Sequence, residues 1–280
     1  MIKKINFTDV NPLSKEAIVS INRSIFKVIN KKNFILGNEV IEFEKKFSQI
    51  SKSKFAVSCG SGTDALILAL MSLDLKNSDE VIVPGLTYVS TGLAVILNHN
   101  KLVLTDIDDK TGLISIEKLK KKITKRTKAI IAVNLYGQKV NLKKLRRIEG
   151  KKIHIIEDSA QSHFAFSCYN CSSKNKKDCC QKERNDRYAD ISCYSFYPAK
   201  NLGAFGDGGL VTTNNDLLYK KLLALRNLGS IKKNRHFLKG MNSRLDTLQA
   251  AVLKVKLNTV LSFNGKRRKI AEYYDKHLSN

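Results

Sequence analysis

No stretch of this 280-residue sequence stays apolar for the roughly 18 to 20 residues that a membrane span requires. The start, Met1 to Asp9, has a short basic end but no apolar segment and no small-residue cleavage site, so no secretory leader is expected. No Pro- or Gly/Ser-rich linker divides the chain, and no internal repeat is visible. Acidic residues are scarce: 25 Asp plus Glu stand against 50 Lys plus Arg, a net charge of +25. Such a charge attracts nucleic acid, membrane surfaces or anionic metabolites. The bases are mostly Lys, however, and are spread along predicted helix faces, as at Lys118, Lys120, Lys121 and Lys122, or Lys143, Lys144, Arg146 and Arg147. Nucleic-acid readers concentrate charge on one element and interleave it with aromatics. A solvated Lys-rich surface is therefore expected, with neither nucleic acid nor membrane as partner, and the chain is read as a cytoplasmic protein.

What is present is an ordinary globular composition, 42% hydrophobic, at a length that buries a core. Helical spacing of apolar residues covers 14–30 and 38–50, the latter through Val40, Ile41, Phe43, Phe47 and Ile50. Short apolar runs follow at 55–58, 81–83, 102–104, 129–133, 153–156, 191–196 and 210–213. Helix-like stretches separate them at 64–73, 88–97 and 141–148, and the spacing predicts helices over 215–227, 244–261 and 264–278. Short buried strands alternating with helices predict an α/β fold with a mostly parallel sheet covered on both faces. The periodicity lapses at 164–189, a polar stretch rich in Lys and Cys.

Three motifs lie at predicted strand ends, where ligands of such sheets bind. Gly60-Ser61-Gly62-Thr63-Asp64 is a strand-to-helix turn whose small residues and free amides suit a phosphate, or equally a plain helix cap. In Ile155-Ile156-Glu157-Asp158-Ser159-Ala160-Gln161-Ser162-His163, Asp158 directly follows a buried strand. It can pair with a cationic ring nitrogen or cap the next turn. Ser195-Phe196-Tyr197-Pro198-Ala199-Lys200-Asn201-Leu202-Gly203 sets one Lys between Pro and Gly-rich turns. Its amine is either activated by desolvation, as Schiff-base chemistry requires, or an exposed loop cation.

In this order, these motifs resemble the DegT/DnrJ/StrS family of nucleotide-sugar aminotransferases. So do Phe34-Ile35-Leu36-Gly37, Leu135-Tyr136-Gly137-Gln138, Leu225-Arg226-Asn227 and Asn242-Ser243-Arg244-Leu245-Asp246. The resemblance implies the aspartate-aminotransferase (fold type I) large domain over residues 1–280 and pyridoxal 5′-phosphate (PLP) as cofactor. It assigns Lys200 to the Schiff base and Asp158 to the pyridine nitrogen. Gly62, Thr63 and Ser195 would hold the phosphate, Tyr88 would stack on the ring, and Gln161 would sit near its hydroxyl. Asn227 would reach the phosphate of a second subunit, making the active site the property of a homodimer. The implied substrates are an amino-acid donor, usually glutamate, and a keto-sugar carried on a nucleotide. The related PLP dehydratases of deoxysugar pathways typically replace this Lys with His, so transamination is favoured. A non-catalytic relic of the family is the other alternative.

Two departures stand out. Family members continue into a small C-terminal domain, whereas this sequence stops at Asn280, so that domain is expected to be absent. After His163 the family has a short Gly-containing turn, but here Phe164 opens a Cys-rich insertion. Cys168, Cys171, Cys179 and Cys180 provide four thiolates, enough for a tetrahedral zinc, or alternatively free thiols on a loop.

Overall fold

The computed structural model describes residues 13–149, 153–165, 188–232 and 234–278. Two helices lead, α1 (Lys15–Lys31) and α2 (Asn38–Ser51). The Ser14 side chain caps α1 by accepting from the Ala17 amide at 3.2 Å. Strand and helix then alternate through β1 (Phe55–Cys59), α3 (Gly62–Ser72), β2 (Glu80–Pro84), α4 (Ser90–Leu97) and β3 (Lys101–Thr105). The alternation continues with α5 (Ile116–Lys120), β4 (Thr127–Val133), α6 (Leu142–Glu149), β5 (His154–Asp158) and β6 (Ile191–Ser195). After β7 (Gly209–Thr213) come α7 (Asp216–Leu225), a small hairpin of β8 (Ser230–Lys232) and β9 (Arg235–His236), α8 (Thr247–Lys256) and α9 (Val260–Leu278).

The central sheet has the order β1-β7-β6-β5-β4-β2-β3. The pairs β6-β5, β5-β4, β4-β2 and β2-β3 are parallel, and β7 runs against both of its neighbours. Residues alternate between the faces, as the period of a strand dictates. Val81, Val83, Ala129 and Ile131 pack with Leu68 of α3, Val95 of α4 and Leu222 of α7. Ile82, Ile130 and Ile155 point the other way, onto Leu119 of α5 and Leu142 and Leu145 of α6. Farther along that face, Tyr194 and Leu210 meet Phe43 and Phe47 of α2 and Leu253 of α8. This is the two-sided, mostly parallel α/β layering expected from the sequence.

Several helix boundaries differ from the periodicity. The helix expected over 244–261 begins at Thr247, ends at Lys256 and restarts at Val260; between them the Asn258 and Thr259 amides donate to the Val255 and Lys256 carbonyls three residues back, and the Thr259 hydroxyl also donates to the Lys256 carbonyl at 3.1 Å. The helix expected from Tyr88 begins at Ser90, which leaves Tyr88 on the preceding turn. Among the described residues, no helix is long and apolar enough to cross a membrane.

Glu157, on β5, is fully buried and forms an ion pair with Lys139, whose side chain is 5% exposed. It also accepts from Asn134 at 2.7 Å and Ser192 at 2.8 Å. Burial alone would raise its pKa, but the Lys139 ammonium and these donors hold the carboxyl below its ordinary value. Removing one member of such a pair strands the other charge in low dielectric. Lys139→Met should therefore cost about 3 to 5 kcal/mol in urea unfolding at neutral pH. The Lys139→Met/Glu157→Gln double variant, with no stranded charge, should recover part of that loss. A single variant as stable as the parent would show that the pair carries no such weight.

Candidate active site

The carboxyl ends of the parallel strands open into a cleft of about 560 Å³. Its wall is built from the residues just past each strand: Ser61 to Thr63 after β1, Thr87, Tyr88, Ser90 and Thr91 after β2, and Val133 and Asn134 at the end of β4. Asp158, Ala160 and Gln161 contribute from the end of β5, Ser195, Tyr197 and Lys200 from the end of β6, and Asp207 from the approach to β7. Both position and size suit a small-molecule or cofactor site.

One end of the cleft is made for an anion. The Ser61 hydroxyl caps α3 by accepting from the Asp64 amide at 3.0 Å. The Gly62 and Thr63 amides then lie at the helix start, where backbone donors have no intrahelical acceptor. Gly62 is required by crowding: a Cβ there would stand 2.5 Å from Cβ of Ser195. The Thr63 hydroxyl pairs with that of Ser90 at 2.8 Å. Behind the turn, the buried Ser243 hydroxyl accepts from the Gly60 amide at 2.9 Å and donates to Asp64 Oδ2 at 2.7 Å.

Asp158 stands deeper, only 6% exposed. Its Oδ1 accepts from the Ala160 amide at 3.1 Å and its Oδ2 from the Thr91 hydroxyl at 3.0 Å. Burial raises its pKa despite these donors and the nearby Lys200. A carboxylate in that condition gains from any cation that enters the cleft.

Lys200 occupies the loop between β6 and β7. Its amide donates to the Tyr197 carbonyl at 2.9 Å, and the Ala204 amide to Phe196 at 2.8 Å. The Asn201 side chain donates to Asn264 of α9 at 2.8 Å, and the buried Lys256 ammonium donates to the Gly203 carbonyl. Gly203 is packed so tightly that a Cβ would lie 2.2 Å from the Pro198 oxygen. On this fixed base the Lys200 amine is half buried, and burial lowers its pKa against the pull of Asp158. More of it is neutral, the form that condenses with an aldehyde.

His163 lies buried beside this loop, its ring 5.7 Å from Tyr194 and 5.8 Å from Phe196. Burial, with a smaller push from Lys200, lowers its pKa to about 3. The unfolded chain protonates this ring below about 6.5, while the folded state keeps it neutral down to about 3. Stability should accordingly fall as pH drops through that window, and His163→Phe should flatten the fall. Urea midpoints at pH 7 and pH 4.5 check it: an equal drop in both proteins removes His163 as the cause.

The cleft gathers Gly62, Thr63, Tyr88, Asp158, Gln161, Ser195 and Lys200. Tyr88 is 71% exposed at the cleft wall, and Gln161 accepts from the Tyr136 amide at 2.8 Å. Asn227 is not among the lining residues; its side-chain oxygen accepts from Arg244 at 3.0 Å. Thr87, Ser90 and Thr91 carried no signal in the sequence, being single hydroxyls without a spacing rule, and Ser243 stood in a family-like motif that gave it no role. Cys168, Cys171, Cys179 and Cys180 lie outside the described residues. Among the described residues, no group of three or more His, Cys, Asp or Glu side chains could hold a metal, and zinc finds no support.

Comparison with known proteins places the cleft in context. The model of the DegT/DnrJ/EryC1/StrS aminotransferase family matches residues 16–280. The chain is 38% identical over 275 residues to the UDP-2-acetamido-2-deoxy-3-oxo-D-glucuronate aminotransferase of Pseudomonas aeruginosa, covering 98% of this chain and 73% of that one. It is 40% identical over 277 residues to the dTDP-3-amino-3,6-dideoxy-alpha-D-galactopyranose transaminase of Aneurinibacillus thermoaerophilus, covering 99% of this chain and 73% of the relative. Among solved structures, NtdA from Bacillus subtilis with bound cofactor PMP superposes with a TM-score of 0.86 at 30% identity, over 99% of this chain and 61% of that one.

Proposed function

The chain belongs to the DegT/DnrJ/EryC1/StrS aminotransferase family, and on that premise we propose that it moves an amino group from glutamate to a keto-sugar carried on a nucleotide. It is a PLP-dependent aminotransferase. The observation that carries the reading is the convergence, in one cleft, of a helix start, a buried carboxylate and a half-buried amine. These match the phosphate, the pyridine nitrogen and the aldehyde of PLP in turn. When bound there, the cofactor supplies an electron sink for charge developing at the donor Cα.

The protein's own groups do the rest. The Gly62 and Thr63 amides, with the Ser195 hydroxyl, hold the phosphate and set the depth of the ring. Asp158 holds a proton on the ring nitrogen by keeping a negative charge beside it in a dry setting. Tyr88 stacks on the ring from the cleft wall, and Gln161 sits near its hydroxyl. Lys200 would hold the cofactor through its aldehyde group, and its amine, when free, would take the proton from the donor Cα. The two relatives, named for UDP- and dTDP-linked sugars, support a nucleotide-sugar acceptor. The excess of 25 positive charges favours approach of a diphosphate. We also infer a homodimer, in which Asn227, set outside its own cleft, completes the phosphate contacts of the partner.

The test is an absorbance spectrum of the purified chain with PLP, before and after glutamate. The expected result is a cofactor band near that of a protein-bound PLP that disappears with glutamate and returns on adding a UDP- or dTDP-linked keto-sugar. A band unchanged by glutamate would overturn the reading. Sedimentation at several salt concentrations tests the dimer. Salt screens like-charge repulsion, so association should strengthen from low to moderate ionic strength. A monomer that keeps PLP fully at every salt concentration would remove the shared site.

A further inference from the structure

Thr91 lies in the first turn of α4 with none of its surface exposed. A buried helical Thr commonly returns its hydroxyl to the carbonyl one turn back. Here the hydroxyl instead reaches across to β5, 3.0 Å from Asp158 Oδ2, and pairs with the Thr87 hydroxyl at 2.7 Å. An ionised carboxylate can only accept, so Thr91 must donate to Asp158. Its oxygen is then left to accept from Thr87. The two hydroxyls form a one-way relay that ends on the carboxylate. The Ala160 amide fixes the other oxygen at 3.1 Å.

The groups facing Asp158 make this relay matter. Glu157, next to it on β5, is negative, but its charge is matched by Lys139. Cys193 on β6 is a neutral thiol, pushed well above its ordinary pKa by burial. Lys200, from the loop after β6, is the positive neighbour, and in the proposed chemistry its nitrogen joins the cofactor, so that it no longer stands as a free ammonium beside Asp158. Charge and aim at Asp158 then rest on the two donors.

We propose that Thr91 is a positioning residue for the reaction: its hydroxyl, oriented by Thr87, holds Asp158 ionised and aims the carboxylate into the cleft toward the ring nitrogen of the cofactor. The inference rests on the proposed pairing of Asp158 with that nitrogen.

The experiment compares the full-length parent, Thr91→Val, Thr91→Ser and Asp158→Asn, each loaded with PLP labelled with ¹⁵N at the ring. Two readouts are taken: the pH dependence of the ¹⁵N shift and the single-turnover rate with glutamate. Loss of one hydrogen bond to a charged group predicts a rate about ten- to a hundredfold lower in Thr91→Val. Its ring nitrogen should also deprotonate at lower pH. Thr91→Ser, which keeps the hydroxyl, should return to within about threefold of the parent. If Asp158→Asn changes the nitrogen signal and Thr91→Val does not, the Thr91 role is overturned alone. If Asp158→Asn leaves the signal as in the parent, the assignment of Asp158 itself fails. Should Thr91→Val not fold, Thr87→Val tests the relay from its outer end, with a loss of about threefold expected and none overturning it.

Discussion

Lys200→Ala should fold as the parent does, bind PLP without a covalent link, and transfer amino groups at least about 10³-fold more slowly. Two losses combine in the one substitution. The cofactor aldehyde loses its attachment point, and the donor Cα loses the base that takes its proton. Folding should be spared because Lys200 projects into the cleft, while its loop is held by backbone bonds and by Asn264 and Lys256. Lys200→Arg separates charge from chemistry: it restores a cation but no neutral amine, so it should stay as slow as the alanine variant. Borohydride reduction and peptide mass mapping of the parent should find the cofactor on Lys200. A tag elsewhere, or a Lys200→Ala enzyme within tenfold of parent, would end the assignment.

The second large effect belongs to Asp158. Asp158→Ala should slow proton removal from glutamate by about 10²- to 10³-fold, the scale of losing a preorganised charge that faces the transition state. Attachment of the cofactor to Lys200 should survive, and the sign follows from their coupling. Asp158 raises the Lys200 pKa against burial, so its removal leaves the amine neutral at lower pH. Condensation with the aldehyde is then not impaired, while stabilisation of charge at the donor Cα is. Stopped-flow half-reactions with glutamate, read beside the absorbance of the bound cofactor, separate the two steps. Equal half-reaction rates in variant and parent would contradict the role.

Most of the cleft was legible in the sequence because it is built from strand ends, and strand ends are marked. Asp158 closes a strand after three buried residues, and Lys200 sits between Pro198 and Gly203, where tight turns are forced. Gly62 was legible only as a small residue in a strand-to-helix turn, and the crowding by Ser195, 2.5 Å from where its Cβ would stand, is seen in the fold alone. The supporting hydroxyls were not legible. Thr91 is an ordinary residue whose partner lies 67 positions away in the chain, so no local spacing betrays it, and Ser243, though inside a family-like motif, has its partner 179 positions away. Arg226 stood in the motif Leu225-Arg226-Asn227 without a role, because its guanidinium reaches Glu44 and the Ser58 carbonyl across 182 and 168 positions. Periodicity found the helices but missed the break after Lys256, because a short turn of three-residue backbone bonds at Asn258 and Thr259 leaves no mark in the apolar spacing.

The reversed strand β7 has a mechanical consequence. Because it runs against β6, with Ser195 paired to Gly209, both ends of the Lys200 loop are anchored side by side on the same rim of the sheet. A segment pinned in this way has no free arm to swing, and shifting it bodily would break the register of a central strand. Whatever travel the amine needs between one partner and the next must come from rotation about its own four-carbon stem. The loop serves as a still pivot, and the moving part is a single side chain.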